Sequence, residues 1–307
     1  MEITNPLKGT RCAICGSTGN STEIYEANLK EEDFNGEVFS ARRLPDRIHP
    51  RICRCKRCGL VRSDPMIDPS ALAGLYGKST FEYEQEVPAL RRTYGKYLRK
   101  TAAQAGTREN LLEIGCGTGF MLEEALAQGY AEATGIEPSR DCKIKSKVAD
   151  RIVTGVFEPG VFRDEAFDAI CMFQVLDHMP DPGKTLRACR DMLRPGGALL
   201  ILNHNVEAIS AHLLGERSPI IDIEHTYLYS KKTLKTLLER AGLDLVEGGP
   251  VWNSCSLYYL VRLLPIHPKV KTAALGALKK TCAGKLQISA PLGNLYAIAK
   301  KGRTAGD

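Results

Sequence analysis

The 307-residue chain carries 42 basic and 36 acidic side chains, a formal charge of +6, with 43% hydrophobic and 25% charged residues. This composition suits a globular protein with a sizeable core; it excludes a collagen-like or low-complexity chain, and no apolar run nears the roughly 20 residues of a membrane span. Eleven cysteines, behind an opening Met-Glu-Ile-Thr-Asn-Pro that lacks the charged-then-apolar layout of an export signal, predict a reducing, cytoplasmic setting with few disulfides.

Five of the cysteines fall in the first 58 residues, and four form two C-x-x-C-G knuckles, Cys12–Gly16 and Cys55–Gly59. A two-residue gap lets both thiolates reach one ion, and the glycine that follows permits a tight turn. Cys12, Cys15, Cys55 and Cys58 therefore predict a closed, structural zinc site. Cys53 breaks the knuckle spacing and is left out of the ligand set. Short strands and a loop are expected between the knuckles, making residues 1–68 a zinc-ribbon-like module. Arg42, Arg43, Arg47, Arg51, Arg54, Lys56, Arg57 and Arg62 face a single acid, Asp46, over this stretch. That could be a phosphate footprint. With Glu31, Glu32, Asp33 and Glu37 nearby and no interleaved aromatics to stack bases, substrate gripping or packing is preferred to nucleic-acid binding.

Residues 69–106 read as a helical link. Asp-Pro-Met-Ile-Asp-Pro-Ser opens it with a turn and a helix start, and Tyr76, Tyr83, Tyr94 and Tyr97 punctuate it. Tyr94 and Tyr97 are expected to pack the helix against the following domain.

The most informative stretch comes next. Leu111-Leu-Glu-Ile-Gly-Cys-Gly-Thr-Gly119 is a short apolar run ending in a turn with glycine at every second position, and Phe120–Ala127 has helical spacing. Strand, glycine turn and helix make a nucleotide crevice, because glycine lets backbone approach a ligand where a Cβ would collide. The phosphate fingerprint would be G-x-G-x-x-G; here it is E-x-G-x-G-x-G. Glu113 would repel a pyrophosphate but suits a ligand with an ammonium group. Glu137 closes the next apolar run at the spacing of a ribose-binding carboxylate. Together these features describe S-adenosylmethionine (SAM) better than NAD, and Cys116 within the turn reads as small filler.

Further strands are predicted at Phe167–Phe173, Ala198–Leu202, Leu243–Glu247 and Asn294–Ala299, with a helix at Lys231–Ala241 stopped by Gly242. Helices are expected at 255–264 and 269–282, within an insert of about 250–290. The second carries Lys269, Lys271, Lys279 and Lys280 beside an apolar stripe. Such a helix can lie on an anionic membrane, although a cap over the substrate pocket is preferred. Candidate bases sit on loops after the strands: His178, which Asp177 could orient; His204 with Asn203; and Glu224-His225, with Tyr227 beside it.

The glycine turn, the segment Phe167–Pro182 and the segment Leu193–Leu202, in this order and at these separations, resemble the class I SAM-dependent methyltransferases over roughly residues 75–300. The resemblance implies an α/β doubly wound seven-stranded sheet of order 3-2-1-4-5-7-6 with an antiparallel last strand, in a domain covering 107–307. It implies SAM as cofactor, with Glu113 and the backbone of Gly115, Gly117 and Gly119 near its methionine part. Glu137 would hold the ribose hydroxyls, and Gln174 would join the cofactor contacts. Family members often place an acid after strand three to meet the adenine amine. Gly155-Val156-Phe157 offers none, leaving backbone groups and stacking on Phe157. Some family members acting on sugars and glycans carry a similar N-terminal cysteine module, with the link lying across the SAM pocket as a lid.

The expected activity is methyl transfer to a small molecule, a sugar, nucleotide sugar or glycan-lipid intermediate, with O-methylation favoured over C-methylation and with His178, His225 and Glu224 as catalytic candidates. The alternative is an RNA methyltransferase whose zinc module holds the substrate. A non-enzymatic scaffold is opposed by the intact acids and glycines.

Overall fold

The structure, a computed structural model, describes residues 7–30, 33–34, 47–79, 84–263 and 267–301. Arg42, Arg43 and Asp46 of the basic stretch, the neighbouring acids Glu31, Glu32 and Glu37, and Tyr83 of the link lie outside the described residues.

The N-terminal part is built from short strands: β1 (Leu7–Lys8), β2 (Ser21–Tyr25), β3 (Ile52–Cys55), β4 (Val61–Ser63) and β5 (Met66–Ile67). β2, β3 and β4 form antiparallel pairs, and β1 pairs with β5. The basic stretch is partly spent on this architecture. Arg62 is 1% exposed and donates to Thr10 Oγ1 and Asp64 Oδ2, while Arg51 donates to the Asp64 carbonyl.

Helix α1 (Pro69–Gly77) starts where Asp68 accepts from the Ser70 amide and proline takes the first helical position. α2 (Val87–Ala105) ends at Gly106, and from there strand and helix alternate: β6 (Asn110–Ile114), α3 (Phe120–Ala127), β7 (Glu132–Glu137), α4 (Arg140–Ile144), β8 (Ile152–Thr154), β9 (Phe167–Phe173), α5 (Pro182–Met192) and β10 (Leu193–His204). Then come α6 (Ile209–Leu214), β11 (Tyr227–Leu228), α7 (Lys231–Arg240), β12 (Leu243–Ser256), α8 (Leu257–Leu263), α9 (Pro268–Lys280) and β13 (Gln287–Lys301).

The main sheet runs β8-β7-β6-β9-β10-β13-β12, with β13 antiparallel to both neighbours. In sheet-strand numbering this is 3-2-1-4-5-7-6, the doubly wound order implied by the resemblance. Alternation along the central strands explains its two covered faces. Leu111, Ala169 and Leu200 point toward Tyr94, Leu98 and Phe120; Leu112, Ile170 and Leu199 point toward Leu186, Leu234 and Leu238 of α5 and α7. Tyr94 stacks on Phe173 with centroids 4.6 Å apart, and Tyr97 Oη accepts from the Trp252 amide at 2.8 Å, so both tyrosines clamp α2 to the sheet.

Two features differ from the sequence reading. β12 and β13 are 14 and 15 residues long, far beyond the predicted strands. Register shifts between Leu245 and Glu247 and between Pro250 and Trp252 absorb the Gly-Gly-Pro segment that follows the predicted strand, so pairing continues to Ser256 opposite Gln287. The two helices of the insert ride at the end of this ribbon. In addition, β11 pairs with β4, so the cysteine module's sheet is completed by a strand from the loop after β10. Cys12, Ile14, Cys55 and Leu60 share a core with α5 and α7, and Arg240 hydrogen-bonds the Ile14 carbonyl.

α7 begins with a reciprocal cap: Ser230 Oγ accepts from the Thr233 amide and Thr233 Oγ1 from the Ser230 amide. Ser230→Ala is expected to lower stability by about 1 kcal/mol, read from the urea unfolding midpoint.

Candidate functional site

A cavity of about 1140 Å³ opens at the carboxyl ends of β6, β7, β9 and β10, under α1, α8 and the loop after β10. This is where a doubly wound sheet has a crevice, since the connections leaving neighbouring strands diverge to opposite faces.

One wall is the glycine turn. At Gly115, φ is +71° and an added Cβ would lie 2.5 Å from Val175 Cγ2, so both conformation and space demand glycine. At Gly117, φ is +53° with no atom within 4 Å of an added Cβ, and its amide donates to Glu137 Oε2 at 2.9 Å. The other Glu137 oxygen accepts from the Ser139 amide at 2.9 Å. Gly119 does not line the cavity; it caps α3, where an added Cβ would meet Val148.

Glu113 is 3% exposed, and its Oε2 has no hydrogen-bond partner among the described residues. Burial first, then the charge of Glu137, pushes its carboxyl well above the ordinary range. Burial also raises Glu137, against the pull of its two amide donors. A desolvated carboxylate with an open acceptor beside a bare backbone cradle is the environment an ammonium-bearing ligand would complete. Phe157 and Gln174 line the same space. Gln174 holds a left-handed φ of +58°, and its Oε1 is buried with no hydrogen-bond partner among the described residues. Such strain persists where the surroundings fix it, commonly at ligand sites.

The opposite wall is an imidazole cluster around Asp177, which is 0% exposed. Asp177 Oδ2 accepts from His204 Nδ1 at 2.7 Å, and Oδ1 lies 3.6 Å from His178 Nε2. His178 Nδ1 is 2.7 Å from the Tyr76 hydroxyl, so α1 orients His178. The sequence reading gave that task to Asp177, whose stronger bond goes to His204. The His225 ring lies 4.9 Å from that of His178 and 4.5 Å from that of His204. His225 Nδ1 contacts the Ile220 carbonyl at 2.9 Å. A carbonyl only accepts, so Nδ1 carries the proton and Nε2 keeps its lone pair. Burial lowers His178 to about 3 against the opposing pull of Asp177, and burial followed by the charge of His204 lowers His225. Burial would raise Asp177, but the surrounding imidazoles hold it below the ordinary carboxylate range.

Of the catalytic candidates, His178, Glu224 and His225 all line the cavity, as does His204. Tyr227 does not join them. Its ring packs into the core shared with α5 and α7, and its hydroxyl donates to the Pro180 carbonyl. Tyr76 was the missed partner; 102 residues separate it from His178, and no local signal links the two.

Cys12, Cys15, Cys55 and Cys58 bring their sulfurs within 4.8 Å of one another, with Cys12–Cys58 at 3.3 Å and Cys15–Cys55 at 3.5 Å. These separations exceed the ~2.05 Å of a disulfide and approach the edges of a tetrahedron with ~2.3 Å zinc–sulfur bonds. Gly16 and Gly59 donate back to Cys12 and Cys55 and close each knuckle. The donor set fits structural zinc.

Fold, glycine cradle and acids define a class I SAM-dependent methyltransferase. A family model described as "Methyltransferase domain" matches residues 85–248, more than half of the chain, and the chain belongs to that family. It is similar to the ubiquinone biosynthesis O-methyltransferase of Dinoroseobacter shibae, 32% identical over 177 residues covering 53% of this chain and 71% of the relative. The protein of the same name from Saccharophagus degradans is 29% identical over 167 residues, 49% of this chain and 70% of that one. A solved SAM-dependent methyltransferase from Archaeoglobus fulgidus shares the fold, with a TM-score of 0.50, 19% identity, and coverage of 72% of this chain and all of that one.

Two measurements follow from this geometry. Elemental assay should find one zinc per chain, lost when Cys12 and Cys58 are both replaced by serine. Two groups of the imidazole cluster lose their stabilising effect in acid, in separate windows. His178, with an ordinary pKa near 6.5, contributes stability that is complete above that value and is lost as pH falls toward about 3. Asp177 contributes stability present above the ordinary carboxylate pKa and lost below it. Because the raised Glu113 and Glu137 gain stability over the same range, the test is a difference: from pH 7.5 to 4.5 wild type should lose more of its urea midpoint, or gain less, than His178→Asn, and equal changes would contradict the assignment.

Proposed function

We propose that the chain methylates a hydroxyl oxygen of a small-molecule acceptor. The observation that carries this reading is a cavity with an unanswered carboxylate and glycine backbone on one wall and, on the other, an imidazole cluster in which desolvation lowers His178 and His225. When bound, SAM supplies an electrophilic methyl group on a sulfonium. Glu113 would meet its ammonium, Glu137 its ribose hydroxyls, Gln174 and Phe157 the rest of the nucleoside side.

Displacement at the methyl carbon needs an acceptor oxygen in line and a place for its proton. His225 offers that place: its Nδ1–H is fixed on the Ile220 carbonyl, leaving Nε2 as the base. The imidazolium formed would be stabilised by Asp177, whose charge favours protonation of both His225 and His178. Glu224, beside it on the cavity wall, would orient the acceptor hydroxyl.

The O-methyltransferase names of the relatives support an oxygen acceptor and a small molecule. They give no support to the sugar or glycan expected from the cysteine module. Leu72, Leu214, Ile220, Tyr258 and Leu260 around the acceptor wall favour a hydroxylated compound with a large apolar body. In α9, Lys279 sits over the Tyr258 ring and Lys271 bonds the Arg262 carbonyl. Those two lysines hold the helix to α8, which favours a pocket cap over a membrane anchor.

Calorimetry with S-adenosylhomocysteine is expected to give micromolar binding, weakened at least about ten-fold in Glu137→Ala. With labelled SAM, long-chain phenols should be labelled in preference to sugars and nucleotide sugars. His225→Ala should slow that transfer by about 10²–10⁴. Labelling of sugars alone would overturn the acceptor class.

A further inference from the structure

The cysteine module has no part in the cavity wall that would bind SAM, yet it touches the segment bearing the proposed base. We infer that this module is the positioning device for His225, and that a metal on its four thiolates sets the base through strand β4. This rests on the reading of His225 as base.

The loop 218–229 carries Glu224 and His225 but has only the two-residue β11 as regular structure. Its backbone is held from two sides. From the methyltransferase side, the Asp177 carbonyl accepts from the Thr226 amide at 2.9 Å. From the module side, the Ser63 amide donates to the Thr226 carbonyl at 2.9 Å, and Ser63 Oγ donates to the His225 carbonyl itself at 3.1 Å. Tyr227 and Leu228 then pair with Arg62 and Val61. Ser63 is 2% exposed, so water does not compete for these bonds, and a lost partner would leave a buried carbonyl unsatisfied.

The path from Ser63 to the thiolates is short and stiff. Cys55 donates to the Leu60 carbonyl and Gly59 to the Cys55 carbonyl, so the second knuckle is itself the hairpin joining β3 to β4. Cys53 and Arg62 face each other in that hairpin. The first knuckle is tied to the same strand through Thr10, whose hydroxyl donates to the Ser63 carbonyl and accepts from Arg62, and whose amide donates to Asp64. One ion holding Cys12, Cys15, Cys55 and Cys58 thus fixes both ends of the frame around Ser63. Without it, the two knuckles, separated by 39 residues, are tied only by strand pairing and the Thr10 hydrogen bonds, and β4 is held less tightly. A base displaced by a fraction of an ångström loses much of its effect.

The test uses the full chain labelled with ¹⁵N-imidazole histidine, in wild type, Ser63→Ala and Cys58→Ser, with zinc content and S-adenosylhomocysteine binding measured on each sample. In the zinc-loaded wild type His225 should appear as a single Nδ1–H tautomer. Both variants are expected to give mixed tautomers or a shifted, broadened His225 signal while S-adenosylhomocysteine affinity stays within about two-fold. Ser63→Ala should keep its zinc, which separates positioning from collapse of the module and preserves the test should Cys58→Ser fail to fold. An unchanged His225 signal in folded Ser63→Ala, or in a folded zinc-free Cys58→Ser, would overturn the inference. Loss of S-adenosylhomocysteine binding alongside the His225 change would overturn it too, by making the module a general support. Full methyl transfer by His225→Ala with the tautomer coupling intact would refute the base assignment alone.

Discussion

A carboxylate taken out of water must find donors or opposite charge, or give up its ionised form. Three buried acids stand on the carboxyl edge of this sheet, and each meets that demand differently. Glu137 takes two backbone amides and Asp177 gathers imidazoles, while Glu113 retains an oxygen with no partner among the described residues. The site follows from these three answers. Glu137 shapes the glycine turn, Asp177 keeps basic nitrogens close together, and Glu113 presents an open acceptor beside the turn. All three depend on helices covering both faces of the sheet, since solvent at this edge would remove the difference between them.

Much of this was legible in the chain. Glycine at every second position after an apolar run has few readings, because the backbone conformation and clearance at Gly115 admit no other side chain. The sheet order was implied by the family resemblance that three ordered segments carry, and the knuckles by their spacing. What stayed hidden depends on contacts between distant residues. Tyr76 meets His178 across 102 positions, and neither residue's neighbours announce it. His204 could be seen as a candidate, but only the parallel pairing of β9 with β10 brings it onto Asp177. The ribbon of β12 and β13 was masked by Gly248, Gly249 and Pro250, whose turn-forming tendencies are overridden by bulges and by fourteen- and fifteen-residue partners.

The cysteine module illustrates a general limit on small domains. A unit of this size has a marginal core of its own, and two features reinforce it, a cluster of four thiolates and a core shared with α5 and α7. The second feature makes the module part of the catalytic domain's architecture. Its arginines illustrate the same point: Arg62, one of the basic residues for which gripping or packing was expected, is almost wholly buried on Asp64 and Thr10.

The ribbon also separates two kinds of change. Tyr258, Leu260 and Arg262 reach the acceptor end of the cavity from α8, whereas the acids and glycines of the nucleoside end lie on β6, β7 and the turns after them. The α8–α9 hairpin is joined to the sheet by two strands whose outer pairing involves only each other. On the proposed reading, substitutions, insertions or exchange of that hairpin would alter what the enzyme accepts without crossing the hydrogen-bonded centre of the sheet. Substrate range would then drift by replacement of the hairpin while the methyl-donor chemistry stays fixed.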